Sequence, residues 1–154
     1  MNNLRELYQE TIFDHYRQPR NFGELSDANR KAEGFNPLCG DKIKLYLKVL
    51  DGVIHDAHFE GSGCAISTAS ASLMTENLKG KREAEALQML DKFQSMVTNT
   101  AQTENPIKND LGKLEVLAGV REFPQRIKCA TLAWHTMKAA LENTEDISEP
   151  VTTE

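Results

Sequence analysis

The sequence predicts an α+β fold in which helices cover one face of a small antiparallel sheet. Residues 42–49 and 53–60 alternate between apolar and polar side chains on either side of Asp51-Gly52, which is the pattern of a half-buried hairpin. Segments before and after the hairpin repeat apolar residues at helical spacing, and residues 65–79 are rich in alanine and serine. A helix with such small side chains can approach a sheet closely.

Helical periodicity opens the chain and ends at a proline. Apolar side chains recur every three or four residues, and Asn2 or Asn3 can cap the helix. The helix should end near Gln18, because the residue before Pro19 avoids the α region. The polar stretch that follows is expected to hold a short edge strand near residues 29–35.

The register of the hairpin follows from placing its apolar side chains on one face. A two-residue loop would put Leu47 on one face with Asp56. A three-residue loop, residues 50–52, instead pairs Val49 with Val53, so that paired residue numbers sum to 102. We therefore predict the three-residue loop, a type I turn followed by a bulge at its glycine.

Two helices and a loop are predicted directly after the hairpin. A helix over residues 65–79 is ended by Gly80, and an amphipathic helix covers residues 82–97. Residues 98–109 are polar and predict an exposed loop.

The last two helices are predicted from their end signals. A short helix covers residues 110–118, with Asp110 as its cap and Gly119 at its end. Pro124 suits the first position of a last helix that runs to about Glu142.

Length and composition indicate one domain. The chain has 154 residues, of which 40% are hydrophobic and 27% are charged. Residues 1–142 are predicted to form this domain, and residues 143–154, with four acids and no base, are expected to be a disordered tail.

Charge and hydropathy argue against nucleic acids and membranes as partners. The net charge of −5 is a poor match for a phosphate backbone, so no nucleic-acid partner is expected. No apolar run approaches the ~20 residues of a membrane span, and the N-terminus has no apolar signal segment. We expect a cytoplasmic protein that does not bind membranes.

Three cysteines carry the strongest chemical signal. Cys39, Cys64 and Cys129 are an odd number in a chain without an export signal, which argues against a disulfide framework. Their spacing matches no zinc finger. However, the predicted register places Cys39 opposite Gly63 and Asp41 opposite Gly61, so Cys64 lies at the same end of the hairpin.

These residues suggest a zinc site that the last helix closes with Cys129. Three thiolates and the carboxylate of Asp41 suit tetrahedral Zn²⁺; their charge of −4 would fall to −2 with the ion bound. Arg126, three residues before Cys129, can offset part of this charge. Cys64 at a helix N-terminus should have a lowered thiol pKa. The alternative is that each cysteine is an inert core residue and that Asp41 only starts a strand.

Four strings of residues resemble the SufU branch of the IscU/NifU N-terminal family, within a likeness that spans residues 4–142. They are DHYRQPRN at 14–21, CGD at 39–41, GCAISTASAS at 63–72 and FPQRIKC at 123–129. The resemblance implies an IscU-like fold, with a three-stranded antiparallel sheet under helices, and a role in iron–sulfur cluster biogenesis.

The third cysteine indicates the branch. Scaffold-type members carry histidine before it, where this chain has Lys128. The interval from Cys64 to Cys129 also looks longer than in scaffold-type members. In the SufU branch, zinc sits on the residues that match Cys39, Asp41, Cys64 and Cys129.

The resemblance also implies a reaction and partners. Members of this branch accept persulfide sulfur from a SufS-type cysteine desulfurase, and downstream Suf cluster-assembly proteins use it. The chain would then be a zinc-dependent sulfurtransferase that acts with the desulfurase, with Cys39, Asp41 and Arg126 as its catalytic residues. Cys39 is the predicted acceptor, because it lies in a loop beside Gly40 whereas the other two cysteines belong to helices.

Two alternatives remain open on the sequence alone. The same cysteines could assemble a [2Fe–2S] cluster, in which case iron or the cluster replaces zinc. The chain could also be an interaction protein stapled by zinc, without sulfur chemistry.

Overall fold

The computed structural model describes residues 3–98, 111–142 and 151–152 of the chain. The elements, in chain order, are α1 (Asn3–Arg17), β1 (Arg30–Asn36), β2 (Asp41–Leu50), β3 (Val53–Ser62), α2 (Ala65–Leu78), α3 (Glu83–Thr98), a 3₁₀ helix (Gly112–Glu122), α4 (Pro124–Glu142) and β4 (Val151–Thr152). The predicted α+β class, with a three-stranded antiparallel sheet and helices, is confirmed. The last helix has the predicted bounds.

The sheet has the strand order β3-β2-β1-β4. Strands β1, β2 and β3 are antiparallel neighbours, and the expected edge strand near residues 29–35 is β1. Strand β4 adds two residues in parallel to β1, where Val151 faces Gly34. Most of the tail predicted to be disordered lies outside the described residues; Val151–Thr152 form a strand, because the open edge of β1 offers unpaired backbone groups.

The turn between β2 and β3 differs from the predicted three-residue loop. Leu50 pairs with Val53 across a two-residue turn. Asp51 and Gly52 both have positive φ, 54° and 76°, as a type I′ turn requires. This turn matches the right-handed twist of the strands better than the predicted turn does.

A bulge then restores the apolar face. The register shifts between Lys48 and Val49, so that His55 is an extra residue in β3. Beyond the bulge, Leu47 faces Ala57 and Leu45 faces Phe59, and all four side chains are buried. The partners of β2 therefore lie two residues further along β3 than predicted, with Ile43 opposite Gly61.

The helix predicted over residues 110–118 is instead a 3₁₀ helix that continues past Gly119 to Glu122. Besides Val116, its buried apolar residues and its N-cap recur every third position, which is the spacing that three residues per turn keep on one face: Leu111, Leu114, Leu117 and Val120. Burial of Val120 extends the helix beyond the glycine. The proposed cap, Asp110, lies outside the described residues.

Helix α4 lies directly on the inner face of the sheet. A Cβ atom at Gly34 of β1 would come within 2.2 Å of Thr136 Oγ1, so only glycine fits beneath the helix there. On its other side, Trp134 stacks on Phe93 of α3 with ring centroids 4.8 Å apart. This packing holds the middle of α4 against the sheet, and Cys129, nearer the start of the helix, contacts Asn36 at the end of β1.

Within the ranges described above, no helix combines the length and the apolar content needed to cross a bilayer.

Candidate metal centre

A tight turn between β1 and β2 carries the first cysteine. The backbone N–H of Gly40 donates to the carbonyl of Asn36 (2.8 Å), and Gly40 has a φ of 74°. The Asn36 side chain accepts from the N–H of Leu38 at 3.2 Å. These bonds expose Cys39 at the tip of the turn and return the chain to Asp41, the first residue of β2.

The structure brings three of the four predicted ligands together. Cys39, Asp41 and Cys129 each offer a ligand atom, and these atoms lie within 4.8 Å of one another. The Sγ atoms of Cys39 and Cys129 are 3.5 Å apart. Asp41 and Cys129 are buried and Cys39 is exposed, so the cluster opens to solvent on the side of Cys39.

Asp41 is fully buried, and both of its carboxylate oxygens accept hydrogen bonds. Oδ1 accepts from the backbone N–H of Cys64 at 2.9 Å, and Oδ2 accepts from Nδ2 of Asn36 at 3.1 Å. Gly63 makes the first bond possible, because a Cβ atom there would stand 2.6 Å from Oδ1. The sequence placed Gly61 opposite Asp41; the shifted register brings Gly63 there.

Cys64 lies beside this cluster as the N-cap of α2. Its Sγ accepts a hydrogen bond from the backbone N–H of Ser67 at 3.4 Å. A hydrogen bond from the Cys129 thiol, helped by the N–H groups of Ser67 and Ile66, lowers the Cys64 pKa to about 6 although burial opposes this. The lowered pKa agrees with the prediction for a helix N-terminus.

Cys129 shows the opposite shift. Its hydrogen bond to Cys64 and its burial both raise the Cys129 pKa, because they favour the protonated thiol. Without a metal ion, these opposite shifts favour the thiolate at Cys64 and the thiol at Cys129.

Arg126 lies on the exposed first turns of α4. Its guanidinium carbon is 4.7 Å from the centroid of the Phe123 ring, a cation–π contact. Among the described residues, no ion pair or hydrogen bond joins Arg126 to the clustered ligands. Its proposed role toward the site remains a prediction.

Asn36 is the site residue that the sequence did not reveal. Its side chain is buried and contacts both Asp41 and Cys129. The only signal was the Asn-Pro dipeptide at 36–37, which indicates a turn but no chemistry.

The donor set fits a metal ion that prefers sulfur. Two thiols and a buried carboxylate converge from Cys39, Asp41 and Cys129, and the backbone N–H of Cys64 donates to Asp41. Thiolates select zinc, copper(I) or iron–sulfur clusters over magnesium or calcium. The residues alone therefore fit zinc as well as iron.

Comparison with known proteins connects this site to a family. The NifU-like N-terminal domain family matches residues 7–130. An iron–sulfur cluster assembly scaffold protein IscU of Streptococcus pyogenes is 45% identical, covering 92% of this chain and 86% of that protein. The zinc-dependent sulfurtransferase SufU of Bacillus subtilis is 44% identical, covering 93% of this chain and 95% of that protein.

A solved structure agrees with these likenesses. It is that of a putative iron–sulfur cluster assembly scaffold protein for the SUF system, from Fervidobacterium islandicum. It superposes with a TM-score of 0.79 at 36% identity and covers 89% of this chain and 98% of the other.

Proposed function

We propose, from the premise that this chain belongs to the family of NifU-like N-terminal domains, that it is a zinc-dependent sulfur acceptor in iron–sulfur cluster assembly. One observation carries the proposal: Cys39 is the exposed member of a cluster whose other ligands, Asp41 and Cys129, are buried. The sulfur donor is a SufS-type cysteine desulfurase, and downstream Suf cluster-assembly proteins receive the sulfur. The SufU likeness supports the metal and the reaction class.

Four residues would hold zinc in this proposal: Cys39, Asp41, Cys64 and Cys129. Bound zinc would keep the thiols deprotonated and offset part of their negative charge. The described residues contribute the positioning: Asp41 is fixed by two hydrogen bonds, and Cys64 is fixed as the cap of α2.

Cys39 is the acceptor because its surroundings let it reach a partner. It lies at the tip of the β1–β2 turn, beside Gly40 and next to Leu38, which is 60% exposed. Cys129 is buried within α4, and Cys64 is tied to the first turn of α2. A docked desulfurase therefore meets Cys39 before either of the other cysteines.

The proposed transfer is a thiol–persulfide exchange. The thiolate of Cys39 attacks the outer sulfur of the partner's cysteine persulfide and forms a new S–S bond. The S–S bond in the partner breaks, and the partner's cysteine leaves as a thiolate. The sulfane sulfur moves without an external oxidant or reductant. Arg126, on the exposed start of α4, would attract the anionic persulfide, and Asp41 would keep the other ligands in place.

Desulfurase turnover tests the proposal. A SufS-type desulfurase, supplied with cysteine, is assayed for alanine release with and without this protein. We expect the wild-type chain to accelerate turnover and Cys39→Ser to reduce it to the rate of the desulfurase alone. Leu50→Ala, which changes an exposed residue beside the hairpin turn, is the matched control and should keep full acceleration. Full acceleration by Cys39→Ser would contradict the proposal.

A scaffold for a [2Fe–2S] cluster is the second candidate, favoured by the 45% identical relative that is named a scaffold protein. Metal analysis of protein purified without added iron separates the two. Zinc without visible absorbance supports the sulfur acceptor, whereas iron and sulfide with a brown colour support the scaffold.

A further inference from the structure

The side chain of Asn36 hydrogen-bonds to the β1–β2 turn, to β2 and to α4, the three segments that carry the clustered ligands. Nδ2 of Asn36 donates to Oδ2 of Asp41 (3.1 Å) and to Sγ of Cys129 (3.5 Å). Oδ1 of Asn36 accepts from the backbone N–H of Leu38 (3.2 Å), within the turn that carries Cys39. Asn36 itself is fully buried, and its bonds to Asp41 and Cys129 are buried as well.

The chemistry of the partners fixes the orientation of this amide. A carboxylate oxygen can only accept a hydrogen bond, and a backbone N–H can only donate one. The amide nitrogen of Asn36 must therefore face Asp41 and Cys129, and its oxygen must face Leu38. Both N–H groups and the carbonyl oxygen of the side chain are used, which leaves no alternative rotation with the same number of bonds.

We propose that Asn36 is a positioning residue of the metal centre, a role that rests on the metal site of the proposed function. It holds the carboxylate of Asp41 and the sulfur of Cys129 within ligating distance of each other. It also fixes the turn that presents Cys39. Groups that hydrogen-bond to metal ligands orient those ligands and tune their donor strength, although they do not bind the metal.

This role has a consequence for sulfur transfer. When Cys39 moves to take sulfur, two of the remaining ligands stay tied to Asn36. Asp41 is held at its second oxygen as well, by Cys64. Asn36 therefore preserves the arrangement of the buried ligands while the exposed one is engaged.

The chain offers a matched control in Asn29. Its side chain makes two hydrogen bonds to the backbone of Val49, from Nδ2 to the carbonyl (2.7 Å) and from the N–H to Oδ1 (2.8 Å). Asn29 joins the start of β1 to the far end of β2, away from the cluster. Removing it disturbs the fold without touching a ligand.

Metal binding by the folded variants tests the inference. Zinc affinity of Asn36→Ala, Asn36→Ser and Asn29→Ala is measured by competition with a chromophoric chelator, and Co²⁺ is substituted to record its absorption spectrum. We expect both Asn36 variants to bind zinc about 10- to 100-fold more weakly than wild type. Their cobalt bands should also shift, because the bands report ligand geometry. Asn29→Ala should keep the wild-type affinity and spectrum.

The outcomes separate this inference from the proposed function. Wild-type zinc affinity and an unchanged cobalt spectrum in a folded Asn36 variant overturn the role of Asn36 and leave the proposed function standing. Failure of the wild-type chain to bind zinc overturns the proposed function. If Asn36→Ala does not fold, Asn36→Ser decides. Its hydroxyl can still accept from Leu38, but its single O–H donor cannot replace both amide N–H groups.

Discussion

The ligand residues differ in how firmly the fold holds them. Asp41 and Cys129 are buried and hydrogen-bonded, whereas Cys39 is exposed on a turn. Residue types and the hairpin pattern predicted Cys39, Asp41 and Cys64 at one end of the hairpin, and they allowed Cys129 only as a residue that could close the site. They did not reveal Asn36, because its role depends on which way a buried amide points, and residue spacing carries no such information.

The Cys64 thiolate gives a testable pH dependence at the scale of one residue. In metal-free protein, alkylation of Cys64 should rise with pH through a midpoint near its pKa of about 6, because the reactive thiolate forms above the pKa. The extent of alkylation at each pH is measured by peptide mass spectrometry. Cys129→Ala removes the hydrogen bond that lowers this pKa, so its midpoint should move to higher pH. A wild-type midpoint near the ordinary value of about 8.5 would contradict this explanation.

At the scale of elements, the sequence predicted the buried faces of the strands more accurately than the register in which the strands pair. Apolar alternation identified the inner faces of β2 and β3, but it did not distinguish a three-residue loop from a two-residue turn followed by a bulge at His55. Both solutions bury Ala57 and Phe59 but differ beside the turn, where the structure buries Ile54 in place of Val53. The preference of Asp51-Gly52 for a type I′ turn decides between them. Pro124, in contrast, fixed the start of α4 without ambiguity.

The contact of α4 with β1 predicts the effect of one methyl group. Gly34→Ala should lower the free energy of unfolding by about 1–3 kcal/mol, because its Cβ would stand 2.2 Å from Thr136 Oγ1. Urea unfolding measures this loss. Thr136→Ala in the same chain should recover part of it, since the nearest clashing atom is removed. If Gly34→Ala lowers the free energy of unfolding equally with and without Thr136→Ala, the contact between Thr136 and position 34 is not the cause of the loss.

At the scale of the whole molecule, the cluster joins segments that lie far apart in sequence. Cys39 lies in the β1–β2 turn and Asp41 is the first residue of β2. Cys129 comes from α4, about ninety residues further along the chain. Sequence reasoning could place Cys129 only near the start of a last helix. Its approach to the turn depends on α4 lying flat on β1, which the glycine at position 34 allows.

Metal binding should therefore stabilise the whole fold. Zinc that binds only the folded chain at 100 times its Kd adds about 2.7 kcal/mol, which corresponds to roughly 5–10 °C in Tm for a domain of this size. Thermal unfolding with zinc and with a chelator measures the difference. Cys129→Ser should lose most of it, because one ligand is removed. Identical melting of the wild-type chain under both conditions would argue against a site that spans these segments.

The position of the transferred sulfur tests the central claim most directly. The wild-type chain is incubated with a SufS-type cysteine desulfurase and cysteine, alkylated, and analysed by peptide mass spectrometry. We expect one extra sulfur atom on Cys39 and none on the chain when Cys39→Ser is used. Extra sulfur on Cys64 or Cys129 with Cys39 unmodified, or no extra sulfur on any cysteine, would contradict the assignment of Cys39 as the acceptor.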